Sequence, residues 1–369
     1  MRVAILHDHL SFIGGGERLA LTLASALDAD LYVTDLDPQL PKRAGMGDVR
    51  VREIAKVPST PVLRQDRQAA AFGRLKLSGY DVYVFSGNWS IAAASRHRPN
   101  LWYCHTPVRV FYDLRETFLK GLSPAKRFAA RSWIARARRH YERDVASVQR
   151  IVANSRNVEA RIRKCLHRPA EVVHPPVDTS AYRFEGVGEE WLSVNRLSHE
   201  KRIELQVETF RKLPHERLAI AGGPQVGVDA DRFIHSLDPP PNVRFLGEIE
   251  ERGLRDLYAR CRGLVATSRD EDFGLTPVEA MAAGKAVVAV DEGGYRETVV
   301  PGATGWLVPA NAESLAGTIA RATPEALMAM RPACEARARS FDASVFLEKM
   351  KGQLELAARS PASSRPAGG

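Results

Sequence analysis

The sequence contains no run of 18 or more apolar residues, so it predicts no membrane-spanning helix. Polar residues interrupt the apolar opening of MRVAILHDHL at once, and no small-residue cleavage site follows, so a secretory leader is not expected. Cysteine is scarce: Cys104, Cys165, Cys261 and Cys334 lie far apart with no C-x-x-C pair. That spacing excludes a zinc ribbon and a disulfide scaffold, and unpaired thiols point to the reducing cytoplasm. The glycine run Gly14–Gly16 has the wrong spacing for a G-x-G-x-x-G dinucleotide fingerprint and lacks the Lys-Ser/Thr of a P-loop. A hydrophobic content of 44% with 26% charged residues excludes a disordered chain, a coiled coil and a collagen-like repeat.

Positive charge is in excess, with 53 Lys and Arg against 44 Asp and Glu. The excess is concentrated: Lys120 to Arg150 holds nine basic residues and two acidic ones. Such a patch implies an anionic partner. Nucleic acid is not expected, because no binding motif accompanies the charge. Ser123–Val145 reads as a helix with an apolar stripe of Ala130, Ile134, Ala137, Tyr141 and Val145 and with Arg127, Arg131 and Arg138 on another face. Two readings stand: a helix with a solvated basic side, or a surface for anionic lipid at a membrane.

A length of 369 residues suits two or three domains. Strand, glycine loop, helix and strand alternate from Val3–Leu6 through Glu17–Leu27 to Leu31–Thr34, the pattern of a parallel α/β sheet. Val82–Phe85, Leu101–Tyr103, Arg150–Ala153 and Glu171–Val173 extend the first sheet. The prolines of HPPVDTSAYRF break regularity, and the alternation restarts at Trp191–Val194. Arg217–Ala221, Val243–Leu246, Gly263–Thr267, Ala286–Val290 and Gly305–Val308 are the further strands. The expected organisation is one α/β domain over 1–178, a second over 179–341, a closing helix over 342–358 and a disordered tail over 359–369.

Chemistry concentrates in RDEDFGLTPVEAMAAGKAVVAVDEGGYRE. Glu271 leaves a strand end, where open α/β sheets bind ligands, and the amides of Phe273, Gly274 and Leu275 are offered at a helix start. Glu279 has two readings. Thr276-Pro277-Val278-Glu279 fits a capping box, and the same carboxylate can also reach a ligand. In VNRLSHEKR, Arg196 and Lys201 can neutralise a diphosphate or form a solvated surface pair. Gly222 and Gly223 follow a strand and permit close backbone approach, as ordinary turns also do. Gly15 and Gly16 open the first helix, and His105 follows a strand directly. Asp35-Leu36-Asp37 has the form of a D-x-D metal motif but reads better as a loop with paired acids.

Taken in order, these pieces resemble the retaining GT-B glycosyltransferases of family 4. The matching segments are Asn195–Lys201, Ala221–Pro224, the pair Glu271 and Glu279, Glu279–Gly284, Gly293–Glu297 and Gly302–Val308. Gly14–Arg18 and His105–Pro107 match in the first half. The resemblance spans about Met1 to Phe341 and implies an α/β GT-B fold: two Rossmann-like domains facing across a cleft, the closing helix crossing back to the first. It implies transfer of a hexose from a nucleotide-diphosphate sugar to a hydroxyl of a glycan or lipid-linked sugar, with retention, front-face attack and no metal or other cofactor.

In that scheme Arg196 and Lys201 bind the diphosphate, and Glu271 meets sugar hydroxyls beside the amides of Phe273, Gly274 and Leu275. Glu279 holds the ribose and His105 contacts the donor sugar. Gly15, Gly16, Gly222 and Gly223 approach the phosphates. Asp272 departs from the small residue common in the family. The run His105–Leu114 resembles mannosyltransferases of polysaccharide assembly and favours GDP-mannose. The alternatives are a GT-B nucleotide-sugar epimerase and a non-catalytic nucleotide-sugar-binding subunit. The implied location is cytoplasmic, peripheral on the inner face of the membrane.

Overall fold

The computed structural model describes residues 1–60, 62–224 and 229–359. The apolar runs become two sheets in which every ladder is parallel. The first comprises β1 (Val3–Leu10), β2 (Asp30–Leu36), β3 (Val51–Ala55), β4 (Val82–Ser86), β5 (Asn100–Cys104), β6 (Arg150–Ala153) and β7 (Glu171–Val172). Its order is β3-β2-β1-β4-β5-β6-β7. The second comprises β8 (Glu190–Val194), β9 (Arg217–Ala221), β10 (Val243–Gly247), β11 (Leu264–Ala266), β12 (Val287–Val290) and β13 (Gly305–Val308), in the order β10-β9-β8-β11-β12-β13. Central strands such as VVAV of β12 are buried along their whole length, because helices cover both faces of a parallel sheet. In each sheet the strand order reverses beside the first strand, between β1 and β4 and between β8 and β11. Ligands of open α/β sheets bind at the carboxyl ends of strands at such switch points.

The chain divides into two compact units: Met1–His174 together with the chain from Phe346 onward, and Pro175–Val345. The first change-over falls at the paired prolines, a few residues before the boundary expected after 178. The closing helix, Ala343–Ala358, buries Phe346, Met350, Leu354 and Ala357 in the core of the first unit, with the Phe346 ring 6.0 Å from that of Tyr103. Within the second unit, Val177 and Asp342 form a bridge, and the Val177 amide donates to the Phe341 carbonyl at 3.0 Å. The tail expected to be disordered lies, from residue 360, outside the described residues.

Several elements were not anticipated, the helix Leu63–Arg74 among them. The edge strand β3, VREIA, is half exposed and too mixed in pattern to stand out. The helix Ala230–Leu237 is short and has no fully buried residue. The helix Pro324–Arg339 carries Pro332 in its interior, and Thr323 caps its start by accepting the Ala326 amide at 3.3 Å. Among the described residues, no helix is long and apolar enough to cross a membrane. All four cysteines are free thiols.

Candidate active site

In the second unit the chain leaves β8 at Val194 and runs through Asn195–Ser198 into a single 3-10 turn, His199–Lys201. Arg202 closes the turn in the left-handed region (φ 50°), and the Thr267 hydroxyl just beyond β11 donates to the Lys201 carbonyl at 2.8 Å. This anchoring brings Lys201 Nζ to 2.7 Å from Glu271 Oε2. Burial pushes the Glu271 carboxyl up, but the Lys201 ammonium and then Arg196 outweigh it and hold the group below the usual carboxylate range. Arg196 is exposed, so the structure sets a pinned cation, an anion and an exposed cation at the carboxyl ends of β8 and β11. The buried Ser198 hydroxyl between the two cations has no protein partner, an acceptor or donor that a ligand or water would satisfy.

The loop bearing Glu271 is held by glycine. The Gly294 amide donates to the Glu271 carbonyl at 2.7 Å. A Cβ on Gly293 would sit 2.4 Å from that carbonyl oxygen, and one on Gly294 2.4 Å from Phe273 Cα. The G-G-x-x-E segment thus acts as a backbone rest for the glutamate loop. Glu292 adds a second tie, pairing with Arg202 at 3.0 Å and accepting the Asp270 amide at 3.3 Å. Phe273 is buried against Phe341, and Gly274 (φ 94°) is the N-cap of the helix Leu275–Ala282. No side chain caps that start, so its first amides have no intrahelical acceptor.

The capping-box reading of Thr276 and Glu279 is therefore wrong. The helix begins at Leu275, before Thr276, and Pro277 lies within its first turn. Glu279 instead accepts the Tyr258 hydroxyl at 2.8 Å through Oε2. Gly222 (φ 140°) has a steric reason of its own, because a Cβ there would lie 1.8 Å from the Asn195 carbonyl oxygen. The Leu197 amide donates to the Gly223 carbonyl at 2.9 Å. The A-G-G-P turn is thus stitched to the loop that carries Arg196.

In the first unit, His105 follows β5, and Gly15 and Gly16 form the first turn of the helix Gly15–Leu27. A Cβ on Gly16 would touch the His105 ring at 3.5 Å, an ordinary contact. Sequence reasoning passed over three residues that gather here. His105 Nε2 is 3.1 Å from Ser86 Oγ, which is 3.3 Å from His7 Nδ1. His7 Nε2 faces Glu17 Oε1 at 3.6 Å, and Glu17 Oε2 accepts the Gly14 amide at 3.0 Å. Burial pushes the Glu17 carboxyl up, yet His7 and His9 prevail and bring it down to about 2. Burial lowers the His7 pKa, but Glu17 outweighs it and the net direction is upward. Burial and the charge of His7 push His105 down to about 4. Glu17 lay inside the G-G-G-E-R segment, so a signal existed for it. His7 and Ser86 carry none beyond standing at strand ends.

Asp35 and Asp37 are engaged as ordinary loop acids. Asp35 accepts the Val57 amide at 3.0 Å and lies 3.3 Å from Arg64, while Asp37 accepts the Gln39 amide at 3.0 Å. Among the described residues, no group of three His, Cys, Asp or Glu side chains is arranged to hold a metal ion. In the basic helix, Pro124–Ala146, Ile134, Ala137, Tyr141 and Val145 are buried. Some of its arginines serve the fold: Arg127 donates to the Leu119 and Leu122 carbonyls, Arg136 pairs with Asp66, and Arg138 pairs with Glu142 over the Tyr112 ring. Lys126, Arg131 and Arg139 are exposed, beside Phe128 at 75% exposure.

Residues 182–340 match the family described as glycosyl transferases group 1, and residues 13–181 match glycosyltransferase family 4. An alpha-1,3/1,6-mannosyltransferase of Schizosaccharomyces pombe is 29% identical over 270 residues, 60% of this chain and 51% of that protein. One from Neurospora crassa is 26% identical, covering 83% of this chain and 78% of that protein. The crystal structure of Anabaena HepE in complex with UDP and glucose superposes with a TM-score of 0.74 at 19% identity, covering 96% of this chain and 100% of that one, a likeness of fold. Two parallel α/β units, the ordered segments from Gly14 to Val308 and these matches agree, and the chain belongs to the family 4 GT-B glycosyltransferases.

Proposed function

We propose that this glycosyltransferase moves a mannosyl residue from GDP-mannose, with retention, to a hydroxyl of a glycan or lipid-linked sugar. The Lys201–Glu271 pair, 2.7 Å apart at the carboxyl ends of β8 and β11 with Arg196 beside it, carries the reading. Named mannosyltransferases among the relatives and the His105–Leu114 run support the sugar.

In the reaction, the bond from the anomeric carbon to the diphosphate oxygen breaks and a bond from that carbon to the acceptor oxygen forms on the same face. The acceptor's proton goes to the departing phosphate. Arg196 and Lys201 stabilise the charge that grows on the leaving group, which is where preorganised electrostatics lowers a barrier most. Glu271, kept ionised by Lys201, orients hydroxyls of the sugar beside the amides of Phe273, Gly274 and Leu275. Glu279 takes the ribose and His105 meets the transferred sugar. Gly15, Gly16, Gly222 and Gly223 let backbone approach the phosphates. With two cations serving the diphosphate, the scheme needs no metal. The exposed Phe128, Arg131 and Arg139, spaced on one helical face, suit an anionic membrane surface, and a peripheral place on the cytoplasmic leaflet follows for a lipid-linked acceptor.

The test is a thermal-shift panel of GDP, UDP, ADP and dTDP with their sugar conjugates, followed by transfer with the sugar that shifts. A selective rise with GDP and GDP-mannose, and an α-linked product, is expected. A selective rise with UDP sugars would overturn the donor. A sugar nucleotide rearranged at one carbon, without transfer, would favour the epimerase reading.

A further inference from the structure

The buried polar chain of the first unit has more order than packing requires. Parallel register puts His7 of β1 directly beside Ser86 of β4. Asp8 fixes the turn after Ser86 by accepting the amides of Asn88, Trp89 and Ser90 at 2.8 to 2.9 Å. His7 is 4% exposed, Glu17 8% and Ser86 0%, so no bulk water competes for their hydrogen bonds. Neither His7, Ser86 nor Glu17 is used in the mechanism above. The groups facing His7 are Glu17 from the helix Gly15–Leu27, Asp8 and His9 on its own strand, Ser86 on β4 and His105 after β5, while Arg64 acts on His9.

Two linked arrangements of these donors and acceptors differ in the tautomer of His105. When His7 is neutral, the Glu17 carboxylate favours its proton on Nε2, so Nδ1 is bare and accepts the Ser86 hydroxyl. Ser86 Oγ then accepts from His105 Nε2–H, and His105 Nδ1 is left as a bare acceptor. When His7 gains a proton, its Nδ1–H donates to Ser86 Oγ. The hydroxyl is then free to turn and donate to His105 Nε2, in which case the ring proton of His105 moves to Nδ1. His105, held near 4, stays neutral throughout, so the question is which nitrogen carries its hydrogen.

We propose that Glu17, His7 and Ser86 are positioning residues that set the tautomer of His105, a proton on His7 turning His105 Nδ1 from acceptor to donor. The proposal rests on the reading of His105 as a contact of the transferred sugar. As positive charge develops at the anomeric carbon, the sugar's hydroxyls become better donors, so the acceptor form of His105 serves the transition state. Turnover therefore falls as pH drops through the His7 pKa.

The experiment has two arms on the full chain. With histidine-selective 15N labelling, assigned through His7→Gln and His105→Gln, the His105 nitrogen shifts are followed across the His7 titration. They are expected to exchange tautomer at the same pH as His7 titrates, and in Ser86→Ala to stay fixed. In kinetics with the donor found above, wild-type kcat is expected to fall about tenfold per pH unit on the acidic side of that pKa. Ser86→Ala loses this limb, and Glu17→Gln moves it to lower pH. A limb that persists in Ser86→Ala means His7 acts by charge alone and overturns the proposal, as does a His105 tautomer blind to the His7 titration. The wild-type titration decides the matter even if a variant folds poorly. If His105→Gln retains wild-type turnover while the nitrogen shifts remain coupled, the reading of His105 fails and the chain itself stands.

Discussion

Lys201 and Glu271 lie 70 positions apart in sequence and 2.7 Å apart in space, and the ammonium holds the Glu271 carboxyl below its usual range. On the proposed reading, removing either takes away one fixed contact with the leaving group or the sugar, while Arg196 still acts on Glu271. Lys201→Ala and Glu271→Ala are each expected to lower kcat at least ~100-fold while melting near the wild type, checked by initial rates and thermal melts. Glu17 makes a different prediction. Its folded pKa of about 2 lies below the ordinary 4.5, so its stabilising contribution is present above 4.5 and is lost as pH falls toward 2. The raised His7 contributes oppositely, with stability present below 6.5 and lost as pH rises through its folded value. Glu17→Gln should therefore lower the melting temperature most between those limits, near pH ~5–6, and the gap should close as pH falls below 4.5. Melts across a pH series check it, and a gap that widens in acid would refute it.

At the scale of elements, the glycine pairs separate by what lies behind them. A Cβ on Gly294 would meet Phe273 backbone at 2.4 Å, whereas one on Gly223 would meet the Glu248 side chain at 3.6 Å. Gly294→Ala is expected to cost about 1–3 kcal/mol and to displace the loop that presents Glu271, with a loss of kcat as well as stability. Gly223→Ala should leave the melt unchanged, so that a rise in its donor KM would report a phosphate contact rather than strain. Urea titrations paired with rates read both. The basic helix divides in the same way, because Arg127, Arg136 and Arg138 are committed to the fold while Lys126, Arg131 and Arg139 stand exposed. Lys126→Glu, Arg131→Glu and Arg139→Glu together should abolish co-sedimentation with anionic vesicles at low salt and spare the melt. Undiminished co-sedimentation would retire the membrane surface.

At the scale of the whole molecule, the closing helix leaves Pro175–Val345 and completes the core of the first unit. Met350 is fully buried there and belongs, with Phe346 and Leu354, to the same cluster as Ile5, Leu31 and Val84. Met350→Ala is expected to cost about 2–5 kcal/mol. Its loss should fall on Met1–His174, seen as earlier hydrogen exchange in β1 and β4 than in β8 and β11. Uniform loosening of both units would contradict that assignment.

Much of this was written locally. The strand runs, the glycine loop at Gly14, the proline break at Pro175 and Pro176, and the helix Ala343–Ala358 follow from periodicity and turn chemistry, which need only neighbouring residues. Glu271 stood out as an acid in a loop at a strand end, whereas Arg196 and Lys201 read equally as a solvated pair until the family resemblance of their segment was set beside them. Three matters waited on the packed chain. The start of the helix at Leu275 was set by Gly274 wedged against Tyr295, which overrode the capping pattern of Thr276 to Glu279. The edge strand β3 forms only because β2 offers it a ladder. The line from Glu17 through His7 and Ser86 to His105 joins residues from four separate stretches of sequence. Only parallel register brings them together, and proximity of that kind has no trace in local sequence.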